Sequence, residues 1–442
     1  MKLLLVYPPF CPPTVPPHSI THLASCVRHN SPLEVKCLDL NAKFHSARLR
    51  NVYGLMPKAG RNRAAYAGML ERYLSSAGKV HRLNNLAMAS GQEPEMFGQL
   101  LGGIIAEKPD AAGFSVVYNS QIFYSLALIR ALEARGIKCL AGGPAAPKLA
   151  AAGVQVLKDG HELLSALGFP GKTGEEYSPD FSCYQRGDYL SREMVLPLRS
   201  SFGCSWASCA FCTHHSDIRY REIPAPEIVR AATANRARNI FFIDDNVTAT
   251  RLTDLADALG PLKVRWACQT RPTEDLLGLF PKLRQSGCVS VSFGVESGSQ
   301  AMLDAMHKGT QADTAGKVLA ESHASGIRNL VFVMFGFPGE TERTFLETME
   351  FLRANRRSID VVSASVFGLQ RGSAVWLRPG DFGVRGITAR DTPLGETVSY
   401  EVERGLSQAQ AQTLKEAHIA ELRSMNRLPR AVAVLKEQSL FF

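Results

Sequence analysis

Gly203-Cys204-Ser205-Trp206-Ala207-Ser208-Cys209-Ala210-Phe211-Cys212-Thr213-His214-His215 follows directly on the apolar run 196–200, and this junction organises the chain. It sets three thiols within nine positions, whereas Cys11, Cys26, Cys37, Cys139, Cys183, Cys268 and Cys288 are spread singly. Crowded thiols chelate metal; scattered ones, several inside apolar runs, act as small core residues. Ten cysteines in 442 residues are too few for a disulfide scaffold, which points to the reducing cytoplasm. Two metal chemistries suit the loop. Three thiolates can bind three irons of a four-iron, four-sulfur (4Fe–4S) cluster and leave the fourth iron open to a ligand. With His214 or His215 added, the same thiolates make a structural zinc site.

Outward from the cysteines, strand-like and helix-like segments alternate. On the carboxyl side, strands are expected at 196–200, 239–243, 264–270, 289–294, 329–335 and 361–366. Six βα units predict a partial (β/α)6 barrel over 191–385 with its site at the strand carboxyl ends. A zinc knuckle needs no such barrel around it, which favours the cluster. On the amino side, residues 1–168 give strands at 2–7, 35–40, 111–117, 138–141 and 154–157, with helices near 20–30 and 125–135. This alternation predicts an α/β, doubly wound (Rossmann-like) parallel sheet that binds ligands beyond its strand ends. Residues 45–107, rich in Met and Ala, read as a helical insertion. Residues 169–190 read as a linker, and 386–442 as a small mixed region with one helix over 408–425.

The bulk numbers bound the function. The chain is 45% hydrophobic and 21% charged, as globular proteins are, and its length predicts more than one domain. No run of 18 apolar residues occurs, so no membrane partner is expected. The opening Met1-Lys2-Leu3-Leu4-Leu5-Val6-Tyr7-Pro8-Pro9 reads as a first strand, since its apolar run is too short for a secretory signal. A net charge of +9 suggests an anionic partner such as a nucleotide, a phosphate tail or an acidic peptide. Basic pairs such as Arg48/Arg50 and Arg356/Arg357 are scattered and not interleaved with aromatics, so nucleic acid is not expected.

The cysteine loop and the strand ends that follow resemble the radical S-adenosylmethionine (SAM) superfamily. The usual pattern of that family has three residues between the first two cysteines, two before the third, and an aromatic ahead of the last. Phe211 and the two-residue gap fit, while the first gap here holds four residues, 205–208. That longer gap with a Cys-x-Trp start is similar to cobalamin-dependent members. The resemblance implies that Cys204, Cys209 and Cys212 hold a 4Fe–4S cluster and that Phe211 lies against SAM. Phe241-Phe242-Ile243-Asp244-Asp245-Asn246 places Asp244 and Asp245 where members hold the SAM amino group. Gly294-Val295-Glu296-Ser297-Gly298-Ser299 places Glu296 and Ser297 at the ribose and carboxylate; the stretch ending His307-Lys308-Gly309 also matches. Phe335-Gly336-Phe337-Pro338-Gly339-Glu340 resembles the turn behind the adenine and assigns Gly336, Phe337 and Pro338 to it. Carboxylates suit an amine and a diol, and glycine lets the backbone approach a flat purine. Arg271, also at a strand end, reads equally as a structural residue.

The resemblance extends to residues 1–168, which look like the cobalamin-binding domain of the methyltransferase subgroup. On this likeness Pro9, Ser115, Gly142, Gly143 and Gly160 line the cobalamin. The Asp-x-His-x-x-Gly signature is absent, which implies cobalt without a protein imidazole; His161 reads as a polar loop residue. The implied activity is a cobalamin-dependent radical SAM C-methyltransferase. It would act on an unactivated carbon of a peptide or secondary metabolite, through a 5′-deoxyadenosyl radical and methylcobalamin. An electron donor of flavodoxin or ferredoxin type is implied. Residues 369–376 and 379–383 resemble the region after the sixth strand in cobalamin-type maturases of ribosomal peptides; packing of Trp376 on the barrel is the plainer reading. The alternatives are a radical SAM enzyme that cyclises or rearranges without methylating, and a non-catalytic zinc-binding protein.

Overall fold

Both series of apolar runs form parallel sheets, whose strands are covered on both faces and therefore lack polar alternation. Leu3, Leu4, Leu5 and Val6 are all fully buried in the first of them. The computed structural model describes every residue except 61, 171–176, 214–217 and 393–394, and no side chain of 58, 391, 392, 395 or 396. The chain divides into two compact units. One comprises Met1–Pro197 with Arg230–Arg236 and Asp391–Glu396; the other holds the remainder.

In the amino-terminal unit, strands β1 (Lys2–Tyr7), β2 (Glu34–Asp39), β3 (Ala111–Ser115), β4 (Lys138–Gly142) and β5 (Val156–Leu157) form one sheet in the order β2-β1-β3-β4-β5. The pairings are parallel. The order reverses between β1 and β3, and the crevice beyond that point is where such sheets take ligands. Helix α1 (His18–Asn30) buries Ile20, Ala24 and Val27 against β1 and β2. The expected insertion is helical; its main element, α2 (Arg63–Ala89), buries Tyr66, Met69, Leu70, Tyr73, Ala77 and Val80. Those positions repeat every three to four residues, the stripe that makes a helix pack on one face.

In the second sheet, β6 (Val195–Leu198), β7 (Asn239–Phe242), β8 (Arg265–Thr270), β9 (Cys288–Glu296), β10 (Arg328–Phe335) and β11 (Val361–Val366) lie side by side in chain order. The pairings from β7 to β11 are parallel, the open (β/α)6 arrangement expected. Two features beyond β11 differ from the sequence expectation. Strands β12 (Val384–Thr392) and β13 (Gly395–Val402) make a two-stranded sheet, which the reading of 386–442 as a small mixed region with one helix does not contain. The helix expected over 408–425 is two, α3 (Gln408–Ala417) and α4 (Ile419–Ser424), parted at His418, whose Nδ1 lies 2.9 Å from the Leu414 carbonyl.

Candidate active site

The cysteine loop leaves the short strand Ser201–Phe202 through Gly203, whose φ is +70°. A Cβ there would lie 2.6 Å from the Ile218 carbonyl oxygen, so only glycine turns the chain this tightly. Beyond it the loop is tied down by distant backbone. The Ala210 N–H donates to the Met306 carbonyl at 2.9 Å, and the Ala210 carbonyl accepts from the Val375 N–H at 3.2 Å. The Trp206 indole donates to the His307 carbonyl at 2.9 Å. Phe211 packs against the buried cluster of Met302, Met306, Phe337 and Val375. Cys204, Cys209 and Cys212 are half-buried, and none of them is in a disulfide. Burial pushes the Cys209 thiol up to about 11, while the Lys308 ammonium pulls the other way. Among the described residues no three His, Cys, Asp or Glu side chains converge on a single-ion site. His214 and His215 lie outside the described residues. Three thiols on one anchored loop, with Arg271 and Lys308 beside them, form a donor set that fits an anionic iron–sulfur cluster.

The acidic strand ends have separate fates. Asp244 is buried, and its carboxylate accepts from the N–H and hydroxyl of Ser200 and of Ser201 at 2.5–3.0 Å. Burial raises its carboxyl above the usual range, and these bonds hold it down. It joins the end of β7 to the turn after β6. Asp245 is half-buried beside it, its carbonyl accepting from the Gln269 amide at 3.2 Å. Glu296 ends β9 with φ +66° at a register shift. Its carboxylate pairs with the Lys308 ammonium at 2.9 Å, and this pair lies across Gly294, where a Cβ would come within 2.7 Å of Glu296 Oε1. Ser297 is fully buried; its hydroxyl pairs with the Thr348 hydroxyl at 2.8 Å and accepts from the Ser299 N–H. Glu296 and Lys308 thus come together with the cysteine loop, whereas Asp244 and Ser297 hold their neighbours' loops in place.

Gly336 (φ +74°) and Gly339 (φ +89°) shape the turn after β10, with Phe337 fully buried between them and Pro338 beside it. A Cβ on Gly336 would meet the Ala411 Cβ at 2.7 Å. The Gly336 N–H donates to Glu340, whose other carboxylate oxygen has no partner among the described residues. Burial pushes the Glu340 carboxyl up to about 7.

In the amino-terminal unit, the ends of β3 and β4 and the loop after β1 carry neutral polar groups and glycines. The Ser115 hydroxyl donates to the Ser19 hydroxyl at 2.8 Å. Gln121 bridges the switch point, its amide donating to the Pro8 carbonyl at 2.7 Å and accepting from the Val117 and Tyr118 N–H groups. Pro9 lies on the same loop. Gly143 has φ +106°, and a Cβ there would lie 2.7 Å from the Val116 carbonyl oxygen. A Cβ on Gly142 would approach the Leu157 carbonyl oxygen to 3.3 Å, and one on Gly160 the Cys26 sulfur to 3.2 Å. His161 is exposed. The hydroxyls and carbonyls at these strand ends fit the amide-rich rim of a corrinoid, while Gly142, Gly143 and Gly160 are each packed against their own chain.

Arg271 and Lys308 stand in the sequence reading without a role of their own at the site, and Lys436 is absent from it. Arg271 stacks on Trp206 at 4.0 Å, Lys308 is 5% exposed, and Lys436 reaches the Gln269 amide oxygen at 3.3 Å and the Phe332 ring at 4.3 Å. A lysine followed by glycine after a helix was the available signal for Lys308; for Lys436, in a carboxyl-terminal stretch without periodicity, there was none.

Residues 198–352 match the model of the radical SAM superfamily. The bacteriochlorophyllide d C-12(1)-methyltransferase of Chlorobaculum tepidum is 27% identical over 206 residues, which cover 42% of this chain and 43% of that relative. The chain therefore spans less than half the length of this curated relative. Among solved structures, the cobalamin-dependent SAM radical enzyme OxsB, with aqua-cobalamin and SAM bound, superposes with a TM-score of 0.63 at 16% identity. That match covers 96% of this chain and 66% of OxsB. The radical SAM methyltransferase TsrM from Kitasatospora setae, with tryptophan substrate and a SAM analogue, gives a TM-score of 0.64 at 16% identity over 96% of this chain and 89% of TsrM. The chain thus carries a radical SAM domain at 198–352, within the fold of the cobalamin-dependent radical SAM enzymes.

Proposed function

We propose that this protein is a cobalamin-dependent radical SAM C-methyltransferase acting on an unactivated carbon of a peptide or small secondary metabolite. The observation that carries the reading is the joining, in one chain, of a three-thiol loop at the head of a radical SAM domain to a sheet of order β2-β1-β3-β4-β5. When bound, the cluster supplies the electron that splits SAM, and cobalamin supplies the methyl group. The protein's part is to hold, orient and keep dry. Cys204, Cys209 and Cys212 would hold the cluster. Phe211, Asp245, Glu296 and the Gly336-Phe337-Pro338 turn would contact SAM, with Asp244 and Ser297 fixing the loops that carry them. Pro9, Ser115, Gly142, Gly143 and Gly160 would surround the corrinoid. Phe337, Met302 and Met306 exclude water beneath the cysteine loop. The methyltransferase name of the Chlorobaculum tepidum relative and the likeness to TsrM, solved with tryptophan, support a small organic methyl acceptor. A flavodoxin- or ferredoxin-type protein would deliver the electrons, and the reducing cytoplasm suits both.

The test is anaerobic reconstitution with iron, sulfide and hydroxocobalamin, followed by metal counting and analysis of SAM products. Cluster iron with one cobalt, and both 5′-deoxyadenosine and S-adenosylhomocysteine formed with acceptor, support the reading; zinc in place of iron overturns it. The fold of OxsB, described as a radical enzyme, favours a second reading without methyl transfer. Deoxyadenosine without S-adenosylhomocysteine would select it.

A further inference from the structure

The four-residue gap between Cys204 and Cys209 places Trp206 at its centre, and the structure shows what that residue reaches. Its ring lies over Gly309 so closely that a Cβ there would fall 2.1 Å from Trp206 Cζ2. On the same indole stacks the guanidinium of Arg271, with its Cζ 4.0 Å from the ring centroid. Arg271 Nη2 also donates to the carbonyls of Lys308 and Gly309, the latter at 2.9 Å. Arg271 leaves the end of β8, where its N–H donates to the Asn246 side-chain oxygen at 3.0 Å. Its position is therefore fixed from both ends.

The charge of this guanidinium is what sets it apart. Lys308 is neutralised by Glu296 at 2.9 Å. Arg271 makes no ion pair within 4 Å among the described residues, its Nε has no partner, and Asp275 acts on it only from farther away. It is partly desolvated, and the Cys209 and Cys204 thiols are near enough for their charge to act on it. A half-buried cation without a counter-ion is unfavourable unless an anion arrives. One-electron reduction makes a thiolate-bound cluster more negative, and the net charge around a cluster is a principal determinant of its potential.

Resting on the cluster assignment above, we propose that Arg271 is a positioning residue with two separable effects on the cluster. Its guanidinium charge raises the reduction potential, and its stacking on Trp206, with its bonds to the Lys308 and Gly309 carbonyls, holds the cysteine loop closed. The charge needs only a cation at this place. The loop contacts need the planar fork, which lysine lacks.

The experiment uses the full chain, reconstituted anaerobically without SAM. It follows the cluster midpoint by EPR-monitored redox titration and the rate of iron loss to a chelator. Arg271→Gln is expected to shift the midpoint to lower potential and to speed iron loss several-fold. Arg271→Lys is expected to restore the midpoint but not the iron retention. A midpoint in Arg271→Gln equal to that of the unsubstituted protein overturns the charge role, and unchanged chelation in both variants overturns the loop role. If Arg271→Gln takes up no cluster, Arg271→Lys and Trp206→Phe carry the test, since both keep the cation and loosen only the stack. In that case equal iron retention in these two and the unsubstituted protein sinks the idea. Failure of the unsubstituted protein to assemble four irons would refute the functional reading itself, a distinguishable result.

Discussion

Gly309→Ala tests whether the cysteine loop is held by the packing of Trp206 on bare backbone. Gly309 has φ +63°, and the added methyl would lie 2.1–2.3 Å from the indole edge and 3.0 Å from Arg271 Nη2. The left-handed conformation alone costs alanine about 1–2 kcal/mol. The clash cannot be relieved by a small shift, so Trp206 must leave. It then loses its hydrogen bond to the His307 carbonyl, about 1 kcal/mol, and its cation–π contact with Arg271, about 0.5–1 kcal/mol. Loosening the loop by the latter two, about 1.5–2 kcal/mol, corresponds to roughly 10–30-fold more frequent opening. The assay is the alkylation rate of Cys204, Cys209 and Cys212 in cluster-free protein, read by mass spectrometry, with buried Cys268 and Cys288 as internal controls. Trp206→Ala should accelerate labelling by a similar factor, and adding Gly309→Ala to it should add little. Equal acceleration by Gly309→Ala with and without Trp206 would refute the reasoning, because the effect would then come from backbone strain alone.

Other perturbations separate the remaining roles. Cys204→Ala, Cys209→Ala and Cys212→Ala should each abolish deoxyadenosine formation, assayed by chromatography of SAM products; an active single variant sinks the cluster assignment. Asp244→Ala leaves the N–H and hydroxyl donors of Ser200 and Ser201 unpaired in the core and should destabilise the protein by about 3 kcal/mol, measured by urea unfolding. Glu340 has its carboxyl pushed up to about 7 by burial, so the folded state binds a proton that the unfolded state releases near 4.5. Its stabilising contribution is present below pH 4.5 and is lost as pH rises to about 7, a change of about 2–3 kcal/mol that Glu340→Gln should abolish in melting curves across that range. Lys436→Met removes an ammonium whose described contacts are one amide oxygen and one ring; the melting temperature of the cofactor-free chain should rise, with a gain of about 1 kcal/mol.

What could be read in the sequence followed from locality. Parallel strands are continuous apolar runs, so all six barrel strands and the five of the amino-terminal sheet were legible to within a few residues. Helix α2 lies inside the stretch 45–107 that its Met- and Ala-rich composition marks as helical, but its bounds and its buried face of Tyr66, Leu70, Tyr73, Ala77 and Val80 come only with the structure. The two-stranded sheet of β12 and β13 was not legible, since its strands carry charges such as Arg385 and Glu401, paired at 3.3 Å, where a buried strand would carry apolar residues.

The site divides along the same line. The thiols lie within nine positions and announce themselves, but what holds their loop comes from far along the chain: Trp206 meets His307 across a separation of 101 residues, and Arg271 meets Gly309 across 38. Nothing local marks a tryptophan in a cysteine gap as the partner of a glycine that far downstream. The acidic strand ends show the converse limit. Asp244 and Asp245 are adjacent and chemically alike, yet only the first is saturated by four donors from Ser200 and Ser201, because it alone turns inward against β6. A carboxylate so occupied has little left to offer an ammonium group, so on the proposed reading the burden of charge at SAM falls on Asp245 and Glu296. The pairing of Glu296 with Lys308 makes its share conditional. On that reading Glu296 would accept from SAM with the oxygen that Lys308 leaves, and Lys308→Met, which removes the ammonium that holds this carboxylate in place, should weaken SAM binding in cluster-loaded protein. Unchanged SAM affinity in Lys308→Met, measured by equilibrium dialysis, would show that Glu296 needs no such partner.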